Sequence, residues 1–79
     1  MNKLKQVVAI IKSGYISEQD TVFIDETLSN TLASSVPLED ANDILNYIDM
    51  QLANNPVSPE VRRALEILYG SLQERRSST

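Results

Sequence analysis

The sequence predicts an all-α fold, a small antiparallel bundle of three main helices preceded by a short N-terminal helix, dimerising through apolar surface. Three observations point there. Apolar residues recur three and four positions apart in four separate stretches. No stretch of useful length alternates apolar and polar residues with the period of two that a half-buried strand needs. The chain has only two glycines, and its prolines, Pro37, Pro56 and Pro59, fall between the apolar stripes.

The first helix is expected over residues 3–12, where Leu4, Val7, Val8 and Ile11 share a face. Gly14 stands where a left-handed C-terminal cap belongs, with Tyr15 and Ile16 packing just beyond it. Ser17 opens the second helix, and Asp20 three residues later makes a short-armed capping box. That helix should run from 18 to 33, with Ile24, Leu28 and Leu32 as its stripe, flanked by Phe23, Thr27 and Thr31. Its threonines lower intrinsic helix propensity, so packing has to hold it.

Ser35 and Pro37 read as N-cap and first turn of the third helix. Ala41, Ile44, Leu45, Ile48 and Leu52 then form a clean amphipathic face. Asn54, Asn55 and Pro56 stop it, because the residue before a proline is pushed out of the α region. Ser58 and Pro59 restart the chain as N-cap and first helical residue. The last stripe is Val61, Ala64, Leu65, Leu68 and Leu72, with Arg62 and Glu66 spaced to pair. The division is thus one domain over 1–79, with a short N-terminal helix in 1–14 and a frayed tail in 73–79.

At 79 residues the chain is short for a self-sufficient core. Disulfides and thiolate zinc sites are excluded by the absence of cysteine, and histidine, the commonest transition-metal ligand, is absent too. Oligomerisation is the expected remedy, most simply a two-fold homodimer. The opening VVAII is too short for a secretory h-region, and no run approaches a membrane span. The expectation is a cytoplasmic protein without membrane contact.

The net charge of −4 is unevenly placed. Lys3, Lys5 and Lys12 are the only charges before Glu18; from Glu18 through Glu60 there are acids and no base; Arg62, Arg63, Arg75 and Arg76 follow, interspersed with Glu66 and Glu74. That layout argues against reading DNA, which needs a coherent basic face. Nor is an enzyme expected. Ser17, Ser35 and Ser58 sit where capping explains them, and no nucleophile, base and orienter assemble from the sequence. Asp40, Asn42 and Asp43 faintly resemble a calcium loop, but the central glycine is missing and the ladder from Ala41 to Ile48 demands helix through the same residues. No metal and no cofactor are expected.

Protein binding is left as the mode of action. Phe23, Tyr47, Ile67 and Tyr69 lie off the main stripes, which marks them as a candidate protein interface. In the bland alternative, the core simply wraps further around each helix.

The stretches IKSGYISEQDTVFIDETLSNTLASS, LEDANDILNYIDMQL and PEVRRALEIL resemble the small enterobacterial biofilm-development proteins of the YmgB/AriR type, the two-component-system connectors. The resemblance spans about residues 10–70. It is carried by a Ser/Gly turn before an acid-rich helix start, by Asn42, Ile44, Leu45, Ile48 and Leu52, and by Val61, Arg62, Arg63, Leu65, Glu66 and Ile67. Pro37, Pro56 and Pro59 depart from that pattern, as does the more apolar VVAII. The resemblance implies a homodimeric, non-catalytic stress-response regulator. It would bind a response regulator or another transcription factor and so modulate a phosphorelay controlling biofilm formation and acid resistance. A DNA-associated role is the alternative that the family suggests. A weaker likeness, of LANNPVSPEVRRALEIL to the helical hairpin of type III secretion needle subunits, would imply a needle or chaperone-like component.

Overall fold

A computed structural model describes residues 2–77, and these fold entirely as helices and connectors. There are four helices: α1 (Lys3–Ser13), α2 (Glu18–Ser29), α3 (Ala41–Asn54) and α4 (Pro59–Ser77). Two single 3-10 turns, Ala33–Ser35 and Leu38–Asp40, lie between α2 and α3. α4 packs against both α2 and α3, and α1 closes over α2 and α3 on its own side. The radius of gyration is 11.6 Å, the size that a fully compacted chain of this length has.

Local chemistry accounts for most of the boundaries. Asn2 caps α1 by accepting from the Leu4 backbone N–H at 2.9 Å, a cap the sequence reading did not identify. Gly14 ends α1 at φ 75°, and its N–H donates to the Ile11 carbonyl. The capping box of α2 is complete: the Asp20 N–H donates to Ser17 Oγ at 3.1 Å, and the Ser17 N–H donates to the Asp20 carboxylate at 3.2 Å. At the start of α4 the Val61 N–H donates to Ser58 Oγ at 3.2 Å, with Pro59 as first helical residue.

The connector between α2 and α3 differs from expectation. α2 stops at Ser29 rather than near 33. Its last carbonyls are taken by the side chains that follow: Ser29 Oγ, Asn30 Nδ2 and Thr31 Oγ1 donate to the carbonyls of Asp25, Glu26 and Thr27. Such back-bonding by short polar side chains competes with helix continuation. Leu32 therefore leaves the helical stripe and stands 71% exposed, while Val36 fills the core at 1%. Ser35 lies within the first 3-10 turn and does not cap α3, which begins only at Ala41. Asp40 precedes α3 but makes no side-chain cap. Its carboxylate pairs instead with Lys12 of α1 at 3.3 Å, with Asp43 3.9 Å from the same ammonium.

Three further places add to or differ from expectation. Tyr15 does not pack beyond α1 and is among the most exposed side chains, whereas Ile16 does pack on the core. Arg62 reaches back to donate to the Leu52 carbonyl at 3.3 Å, a contact with the end of α3 that the expected pairing with Glu66 did not include. In the expected tail, α4 continues through Ser77, and Arg75 is anchored. Its Nη1 donates to the carbonyls of both Ala33 and Val36, the latter at 2.6 Å. Residues 78 and 79 of the expected frayed tail lie outside the described residues.

The core consists of the inner faces of all four helices plus the connector. Val7, Ile24, Leu28, Val36, Ile44, Ile48, Leu65 and Leu72 are its largest fully buried side chains. Ala41, Leu45 and Leu68 are buried as expected, whereas Leu52, Val61 and Ala64 are half-buried at its edge. Among the described residues no helix is long and apolar enough to cross a membrane.

The two glycines should respond in opposite directions to alanine. Gly14→Ala places a Cβ at positive φ, where there is room but an unfavourable backbone, and should lower the urea-unfolding free energy by about 1 kcal/mol. Gly70→Ala fills open space in the middle of α4 and should raise it by about 0.5–1 kcal/mol. Urea titration followed by circular dichroism checks both signs.

Candidate functional site

The four residues expected at an interface meet different fates. Tyr47 is corrected: it is 3% exposed and belongs to the core of the single chain, so it offers no surface. The reason is that α3 packs on both α1 and α4, which buries more than one stripe around it. Phe23 is half-buried against the core and lines a groove of about 590 Å³, together with Leu4 of α1 and the displaced Leu32. Tyr69 is half-buried between α3 and α4, in a groove with Ile48 and Leu52. Ile67 is 64% exposed, midway along α4. Phe23 and Tyr69 thus line separate grooves, and the four do not make one patch.

The polar chemistry centres on Asp25. Its carboxylate accepts from the Tyr47 hydroxyl at 2.8 Å with one oxygen and from Gln51 Nε2 at 2.7 Å with the other. Gln51 is 4% exposed, and its own carbonyl oxygen accepts from Asn55 Nδ2 at 2.8 Å. Tyr47 and Gln51 are one turn apart on α3, so two donors meet two carboxylate oxygens across the helix pair. Among the described residues no buried side-chain nitrogen or oxygen is left without a partner. Burial, with the Asp25 carboxylate beside it, holds the Tyr47 hydroxyl protonated well above the ordinary tyrosine range. Tyr69 donates to the Asp49 carboxylate at 2.9 Å, and that hydrogen bond shifts its pKa upward too.

The sequence reading missed this network, although its signal was present. Tyr47 and Gln51 at i and i+4 share a helix face, and both are donors. Nothing in one sequence says that Asp25 on another helix meets them. Among the described residues no three carboxylates lie close enough together to hold a metal ion.

A second groove, of about 530 Å³, runs between α2 and the α3–α4 connector. Its floor and walls include Val22, Pro56, Val57 and Val61, with Glu18 and Glu26 along one edge. Val22 is 66% exposed there.

Asp25→Ala should cost about 2 kcal/mol, since two buried donors lose their acceptor. Tyr47→Phe should cost about 1 kcal/mol. In the double variant the losses should fall short of their sum by about 1 kcal/mol, as a denaturation cycle would measure. The raised Tyr47 ionisation also sets a pH dependence. The unfolded chain loses the phenol proton near pH 10.0 and the folded chain only above it. Stability from this group is therefore intact below pH 10 and falls as pH rises beyond it. Tyr47→Phe should flatten that alkaline slope in unfolding experiments.

No family model, no curated protein and no solved structure matches this chain.

Proposed function

We propose that this chain is a small non-enzymatic regulatory protein that works by binding another protein. Ile67 carries the reading. It stands 64% exposed at the middle of a 19-residue helix whose opposite face is sunk in the core through Leu65, Leu68 and Leu72. A large aliphatic side chain in that place, flanked by the half-buried Tyr69, is what a second buried surface leaves on a separated protomer. We assign this face of α4 to a homodimer of antiparallel bundles.

The resemblance to the two-component-system connectors supports a narrower role in the cytoplasm, binding a response regulator or another transcription factor so as to modulate a phosphorelay controlling biofilm formation and acid resistance. The DNA-associated alternative has less support. Arg62, Arg75 and Arg76 each donate to groups of the chain itself, namely the Leu52 carbonyl, the connector carbonyls and Asn42. The acidic middle of the chain adds repulsion from phosphate.

Sedimentation equilibrium from about 1 to 100 µM, the range in which weak dimers dissociate, tests the assembly. The expected result is a dimer that Ile67→Asp converts to a monomer with unchanged helicity; a wild-type monomer throughout would rule the dimer out. Affinity purification from source cells should recover a response regulator or transcription factor. Tight binding to random duplex DNA that weakens steeply with salt would favour the alternative instead.

A further inference from the structure

The groove between α2 and the α3–α4 connector has two properties that together name an occupant. The first is shape and polarity. Val22 projects from α2 with two-thirds of its surface open, and across the groove Pro56, Val57 and Val61 supply an apolar wall. The second is charge. Glu18, Val22 and Glu26 follow one another at four-residue steps, so an acid stands one turn to either side of the exposed valine. Asp25 also lines the groove, but its oxygens are engaged by Tyr47 and Gln51. No lining residue is basic. Lys12 is engaged by Asp40 and Asp43, and the lining of the groove supplies Glu18 and Glu26 with no cation.

We propose that this groove docks a cationic amphipathic helix of a partner protein, one that carries an Arg or Lys, an apolar side chain and a second Arg or Lys at successive turns. The assignment rests on the protein-binding reading above and deepens it by naming the surface and the chemistry of the partner. The spacing fits: Glu18 to Glu26 covers about 12 Å of helix rise, the distance between basic residues eight positions apart on a facing helix. An apolar residue between them sits on Val22 and against the Val57 and Val61 wall. Opposite charges at both ends set the register and reject acidic partners. A polyanion is repelled by the same two carboxylates. A small cation gains nothing from the valines. A second copy of this chain is a poor occupant, because the basic pairs on its helices that come closest to eight positions apart, Lys5 with Lys12 and Lys3 with Lys12, both use Lys12, which is paired with Asp40.

The test uses the full chain and a fluorescently labelled, alanine-based helical peptide with Arg, Leu and Arg at i, i+4 and i+8, followed by anisotropy. Binding is expected with a Kd on the order of tens of micromolar, weakening as salt is raised. Glu18→Gln with Glu26→Gln should weaken it about tenfold, and so should Val22→Ser. These positions are exposed, so circular dichroism should report the same helicity in all variants. A peptide with Gln in place of both Arg should bind about tenfold more weakly to wild type. Absence of binding up to millimolar peptide would overturn the proposal, as would binding indifferent to the glutamates or equal for the Gln peptide. The broader reading is separated by affinity purification with the same variants. A cellular partner held equally by wild type and by a variant combining Glu18→Gln, Val22→Ser and Glu26→Gln would leave protein binding standing and remove this groove from it.

Discussion

The fold depends on one shared wall. Leu65, Leu68 and Leu72 of α4 are buried between α2 and α3, and each contributes about 1.5–3 kcal/mol of transfer free energy. Because α2 and α3 both lean on this stripe, their separation is set by it, and α1 then closes the remaining side with Val7 and Val8. The length of α4 matters as much as its stripe. Its last turn carries Arg75 to the connector, where a single guanidinium nitrogen donates to the Val36 carbonyl and to the Ala33 carbonyl, which also accepts the Val36 N–H. The end of the chain's longest helix and its most irregular connector therefore stabilise each other.

Non-directional burial leaves the helices free to slide, and the polar contacts limit that freedom. Asp25 can accept from Tyr47 and Gln51 together only when α2 and α3 are aligned to within a fraction of a turn. Lys12 with Asp40 makes a similar, more solvated link from α1 to the start of α3. These contacts add modest stability and strong registry, because a slip would strand buried donors. With no cysteine, and with no metal-binding cluster among the described residues, a single chain thus holds a definite arrangement and still leaves apolar side chains outside it, at Val22 on α2 and Ile67 on α4.

The acidic middle of the chain divides into distinct roles once folded. Asp20 caps, Asp25 organises the core edge, Asp40 and Asp43 answer Lys12, and Asp49 accepts from Tyr69. Glu18, Glu26, Glu39 and Glu60 are left exposed, and the first two flank Val22. A stretch that reads as a uniform solvated face in one dimension therefore contains both structural acceptors and a patterned surface.

Helix existence and most helix ends were determined by the sequence alone, because they rest on local physics: apolar spacing, the Ser17–Asp20 box, Ser58–Pro59, Gly14 and the Asn55–Pro56 stop all act within a few residues of one another. The candidate interface was only partly legible. Ile67 could be placed at the surface from its position off the stripe, but Tyr47 could not be placed in the core, since its burial depends on which helices flank α3. The exit of Leu32 and entry of Val36, the docking of Arg75, and the meeting of Asp25 with Tyr47 and Gln51 were decided by tertiary structure. Each joins residues more than twenty positions apart or depends on how a connector is drawn across α4, and a helical period carries no information about which face of which neighbour it will meet.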